Sequence, residues 1–248
     1  MAVAFDAVGP AGGGGTASAT SPLTWTHING GSATCIVIGA TIFTGSSNVI
    51  TAVTYGGVSC TLAGFVVSGS GGAGGIAMYY LVNPPTGSNT VSVTFTGGND
   101  TVAGSISFTG SGSTGTPVTG SSSGSTASIT ASVSNTTTGG MVAAACCYGG
   151  TALITITGTN GVTAQWFKAG STNSGADNGA GGNVASTGGG ASQTVGFTDT
   201  GTDFWGIVAM ELLPQGAAAG PALPQRFMAQ RPVTVVTGSG WRGAQHSR

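Results

Sequence analysis

Val49-Ile-Thr-Ala-Val-Thr-Tyr-Gly-Gly-Val-Ser-Cys-Thr-Leu-Ala-Gly64, resumed after a glycine-rich gap as Ile76-Ala-Met-Tyr-Tyr-Leu-Val-Asn-Pro-Pro-Thr-Gly87 and Thr90-Val-Ser-Val-Thr-Phe-Thr96, decides the fold. Val91, Val93 and Phe95 alternate with Ser92, Thr94 and Thr96, the period of a half-buried strand. Two glycines between β-formers at Tyr55-Gly56-Gly57-Val58 mark a tight hairpin. Asn83-Pro84-Pro85-Thr86-Gly87 cannot continue a ladder, because proline lacks the N–H and fixes φ. The segment therefore reads as four consecutive strands, 49–55, 58–66, 76–82 and 89–96.

The same pattern extends outward. Leu23 to Ile28 alternates, and Thr34–Phe43 is dense enough in Ile and Val for a strand buried on both faces. Asp100–Phe108, Ala127–Val133, Gly139–Cys147, Ala191–Phe197 and Phe204–Leu213 add further strands. Leu153–Thr157 and Val162–Lys168 flank Thr159-Asn160-Gly161, a type I′ hairpin signal. Gly110–Ser125 and Ser171–Gly190 read as loops. About thirteen short strands without a helix argue for an all-β chain, an antiparallel β-sandwich or jelly roll. Residues 1–22, with Gly12–Gly15, read as an extended N-terminal arm, 23–213 as the sandwich, and 214–248 as a second arm entered through Pro214.

Composition narrows the classes. Only 4% of the 248 residues are charged, against about 25% in ordinary globular proteins. Residues 1–225 hold one base, Lys168, against Asp6, Asp100, Asp177, Asp199, Asp203 and Glu211, whereas 226–248 hold four arginines and no acid. A body so poor in charge is expected to be covered by neighbours rather than free in water. No apolar run reaches the roughly 18–20 residues of a membrane helix, and Met1 to Pro10 lacks the basic and apolar regions of a signal peptide. Cys146 and Cys147 are adjacent and face opposite sides of a strand; Cys35 and Cys60 could bridge two strands, but buried thiols are the plainer reading.

Phe5-Asp6, Trp25-Thr-His27, Val53-Thr-Tyr-Gly-Gly-Val58, Tyr79-Tyr-Leu-Val-Asn-Pro-Pro-Thr-Gly87 and Ser107-Phe-Thr-Gly110, in this order and spacing, resemble a β-sandwich domain common in tailed-phage virion proteins and in some secreted bacterial proteins. The resemblance spans roughly residues 3–213. It implies a surface or structural role in a virion made in the host cytoplasm, with copies of the chain and other virion proteins as partners. It carries no catalytic residues.

No catalytic, cofactor or metal constellation stands out. His27 and His246 lie far apart, so a satisfied strand histidine is the default for His27. Asp199 and Asp203 could form a carboxylate pair, but Thr200-Gly201-Thr202 between them reads as a turn that favours Asp for its own backbone bonds. Two acids are also too few oxygen ligands for calcium. Trp25, Trp166 and Trp205 alternate as core residues. Partner contacts are expected on the arms, at Phe5, Arg226, Phe227, Arg231, Trp241 and Arg242, with arginines clamping a neighbour rather than binding nucleic acid. The expected function is that of a virion structural subunit: capsid decoration, tail or fibre. The alternative is a receptor- or carbohydrate-binding module with a host surface glycan as its ligand.

Overall fold

The computed structural model describes residues 1–43, 45–69, 74–97, 100–149, 156–170 and 178–216. They form antiparallel sheets and no helix. The strands are β1 Ala4–Gly9, β2 Thr16–Ser18, β3 Leu23–Asn29, β4 Ala33–Ile42, β5 Ile50–Tyr55, β6 Val58–Ser59, β7 Thr61–Val67, β8 Gly75–Val82, β9 Gly87–Phe95 and β10 Thr101–Thr109. They continue with β11 Ser111–Thr114, β12 Val118–Ser121, β13 Thr126–Val133, β14 Met141–Tyr148, β15 Thr157–Thr159, β16 Thr163–Lys168, β17 Asn178–Ala185, β18 Gln193–Asp203 and β19 Trp205–Pro214.

Four sheets stack. The first outer sheet has the order β3-β9-β5-β6, and the first inner sheet β1-β10-β4-β8-β7 with β2 also on β10. The second inner sheet is β11-β19-β14-β17-β16 with β12 also on β19, and the second outer sheet β13-β18-β15. Three apolar layers lie between them. Ile36, Ile38 and Ala40 of β4 face the first outer sheet and meet Trp25, Val53, Val91 and Val93. Cys35 and Val37, the alternate residues of β4, face the second inner sheet and meet Met141, Ala143, Trp166, Val208 and Met210. Val142, Ala144 and Cys146 turn the other way, towards Ile129, Val195 and Phe197. Burial on both faces explains why β4 and β14 are continuous apolar runs while β3 and β9 alternate.

This is two sandwiches, where the sequence reading expects one. The sheet orders also show that the second repeats the first: β1 to β5 correspond to β11 to β15, and β7 to β10 correspond to β16 to β19. Even the bulge on the inner-sheet edge strand recurs, between Leu62 and Gly64 and between Ala164 and Trp166. The two inner sheets meet in a near-reciprocal way. β10 lies on β16 and β17 of the second sandwich, and β19 lies on β7 and β8 of the first, as in the isologous interface of a symmetric dimer.

Other expectations change as well. Residues 1–22 are not a free arm: β1 and β2 pair with β10 of the same molecule, because the β10 edge offers unsatisfied backbone groups. The Gly12–Gly15 run then reaches the second sandwich, where Phe167 N–H donates to the Gly13 carbonyl (3.1 Å). The expected loop 110–125 contains β11 and β12. Of the expected loop 171–190, residues 178–185 form β17, inside the second inner sheet. Its glycines serve packing. The Trp166 indole lies over Gly181 of β17 and Gly104 of β10, and a Cβ on either would land inside the ring. A Cβ on Gly39 of β4 would also come 2.9 Å from the indole. The expected strand 58–66 is interrupted at Cys60. All four cysteines are free thiols, with Cys146 and Cys147 in different apolar layers. The second arm lies outside the described residues beyond Gly216.

Candidate functional site

The first polar cluster centres on His27, which is fully buried on β3. Its Nδ1 is 2.9 Å from Ser105 Oγ and its Nε2 is 3.0 Å from Ser107 Oγ. Ser107 donates to Asp6 Oδ2 at 2.7 Å, and Gly30 N–H donates to the same oxygen at 2.9 Å. Trp25 Nε1–H donates to Ser105 Oγ at 3.0 Å. The Ser107 proton is committed to the carboxylate, so Ser107 accepts from His27 Nε2–H. Nδ1 is then an acceptor for the Ser105 hydroxyl, whose one proton is shared between Nδ1 at 2.9 Å and the Gly9 carbonyl at 3.2 Å. Burial holds the imidazole neutral by pulling its pKa down to about 4, against the opposing pull of the Asp6 charge. His, Ser and Asp are present, but in an order that does not suit acyl transfer. In a hydrolase triad histidine stands between serine and carboxylate; here Ser107 stands between, and Ser105, Ser107 and His27 are all sealed from solvent. The cluster locks β1, β3 and β10 together. The sequence offers no signal for it, because the serines lie 78 and 80 residues from His27.

The Asp199 and Asp203 pair sits on β18. The expected turn between them belongs to the strand. The β13–β18 register jumps there from Ser128–Thr198 to Thr126–Asp203, so residues 199–202 bulge. Asp199 Oδ2 accepts from Gly201 N–H at 3.3 Å and Asp203 Oδ1 from Phe204 N–H at 2.7 Å, local backbone roles. Asp199 Oδ1 is buried without a hydrogen bond. The neighbouring Tyr148 hydroxyl is pushed up to about 12, first by burial, then by the charge of Asp199 and a side-chain interaction with it, and last by the Asp203 charge.

The tryptophans Trp25, Trp166 and Trp205 are core residues, and none offers a surface platform. Phe5 lies on β1 opposite Phe108 and keeps 40% of its surface exposed. Arg226, Phe227, Arg231, Trp241 and Arg242, with His246, lie outside the described residues.

The second polar cluster was not expected from the sequence. Glu211 of β19 is buried beside a cavity of about 480 Å³ whose wall includes Thr116, Val118, Val133, Asn135 and Leu213. Glu211 Oε1 accepts from Thr137 N–H at 2.6 Å and from the Ser186 hydroxyl at 2.7 Å. The carboxylate thus caps the β13–β14 turn, as Asp6 caps the β3–β4 turn through Gly30. The volume lies within the roughly 300–1,000 Å³ of small-molecule sites. Compared with known proteins, the chain matches no family model, no curated protein and no solved structure.

Proposed function

We propose that this protein is a structural subunit of a bacteriophage particle, a decoration, tail or fibre component that works by packing against copies of itself and other virion proteins. One observation supports the structural reading most: the folded body presents almost no ionised surface. Of its described charged side chains, Asp100, Asp199 and Glu211 are buried, and Asp6, Lys168 and Asp203 are only partly exposed. The surface left is Gly, Ser and Thr with a few large apolar side chains, of which Phe5, Ile28, Val58 and Leu62 belong to the first sandwich. Such a surface resists neither close packing nor association through like-charge repulsion. The phage assignment itself comes from the sequence resemblance.

Solution mass measured by light scattering tests the reading. The full chain is expected to associate, with little response to salt because few charges are available to screen. A chain truncated after Gly216 is expected to associate less. A well-behaved monomer in both forms would overturn the proposal. The Glu211 cavity favours a second reading, a receptor- or carbohydrate-binding module, which a glycan array tests directly.

A further inference from the structure

The two sandwiches differ most at one place. In the first, His27, Ser107 and Asp6 fill the space between β1, β3 and β10. The strand registers put Val133 of β13 where β3 has His27, and Glu211 of β19 where β10 has Ser107. β1 runs on to Gly9 along β10, whereas the matching edge of β19 is interrupted: β11 ends at Thr114, Gly115 N–H donates to the Glu211 carbonyl (2.8 Å), Pro117 cannot donate to a ladder, and β12 resumes the pairing at Val118 opposite Ala209. The interrupted edge at Gly115–Val118 and a smaller side chain at Val133 line in the second copy a cavity where the first copy has its His27 cluster. Glu211 keeps the turn-capping role through Oε1 alone, which leaves Oε2 available to a ligand. No cationic side chain reaches it among the described residues. Lys168 is on β16, at the opposite edge of that sheet, and the Met1 ammonium donates to the Gln215 carbonyl. A buried carboxylate without a counter-charge is costly, and a ligand that brings one is favoured.

We propose that this cavity binds a small ligand through a protonated amine donated to Glu211 Oε2, with Val118, Val133 and Leu213 covering the ligand's hydrocarbon part and Asn135 and Thr116 taking its polar groups. The inference does not depend on the chain being a virion subunit. Two sources share this chemistry, a free amino sugar and the lysine side chain of a partner.

Titration of the full-length protein, followed by NMR, separates them. The probes are glucosamine and Nα-acetyllysine methylamide, with glucose as the uncharged control. At least one amine is expected to bind saturably, and glucose to bind about tenfold more weakly or less; which amine binds names the source. Glu211→Gln is expected to weaken amine binding about tenfold or more. Val133→Phe fills the cavity without touching the bonds to Thr137 or Ser186, so it is decisive if Glu211→Gln does not fold; it is expected to abolish binding. No saturable shift with either amine, glucose binding equal to the amines, or unchanged binding in folded Val133→Phe would overturn the proposal.

Discussion

At the scale of single residues, buried polar groups and glycines carry the specificity. His27 is neutral in the fold, with its pKa lowered to about 4, while the unfolded chain returns it to the ordinary 6.5. Between those values the unfolded state binds more protons, so stability is complete above about pH 6.5 and declines as pH falls towards 4, by at most roughly 1.4 kcal/mol per pH unit. Melting temperature recorded from pH 7 to pH 5 is expected to fall, and His27→Gln, though less stable at pH 7, is expected to lose that slope. Asp6 is the one charged group bonded into this cluster, and it counteracts the effect. Gly104→Ala, which drives a methyl into the Trp166 ring, is expected to destabilise by about 1–3 kcal/mol or more in urea unfolding. Gly31→Ala, with open space around it, is expected to be near neutral. None of these partners is legible in the sequence. A serine in an alternating strand reads as the solvent side, and only the packing of β3 onto β10 turns Ser105 and Ser107 inward.

At the scale of elements, strands whose side chains are chemically distinct on their two faces announce themselves. Leu23, Trp25 and His27 against Thr24, Thr26 and Ile28 is the clear case, while β4, buried on both faces, announces itself by its Cys35–Ile38 apolar run instead. β17 is silent because Asn-Gly-Ala-Gly-Gly-Asn has no apolar period to read; its glycines are set by neighbours outside the strand, Gly181 by the Trp166 indole, Gly182 by Thr163 and Val162, and Gly179 by Thr41. β1 and β2 are silent because a short edge strand beside a glycine run carries the signature of a tether. Their pairing predicts that deleting residues 1–9 does more than remove a contact point. It exposes the β10 edge and strips Asp6 from Ser107 and Gly30. The deletion is expected to lower the melting temperature by several degrees and to raise light scattering on storage. A truncation as stable and monodisperse as the full chain would mean that β1 contributes little.

At the scale of the molecule, the duplication is the main feature the sequence hides. Leu23, Trp25 and His27 correspond to Ile129, Ala131 and Val133: the pattern of burial is repeated while the letters are not. Large and small exchange places across the copies too, with Gly64 opposite Met78 in one and Trp166 opposite Gly181 in the other. Each inner sheet alone would show water a continuous apolar face, Val37, Met78 and Ile106 on one side and Ala143, Val208 and Met210 on the other. Residues 1–110 and 111–216 made separately are therefore expected to aggregate, and made together to co-purify as a one-to-one complex. Two soluble halves that ignore each other would contradict the stacking.

The Met1 amine donates to the carbonyl of Gln215 at 3.1 Å, and Gln215 N–H to the carbonyl of Gly110 at 2.7 Å. Start, finish and midpoint of the double sandwich thus share one corner. A segment grafted ahead of Met1 therefore emerges beside the point where the chain leaves the double sandwich at Gly216. With residues 217–248 removed, a short peptide joining Gly216 to Met1 and a new opening cut at Gly188–Gly190 should yield a permuted chain with the same fold, since the cut falls between β17 and β18.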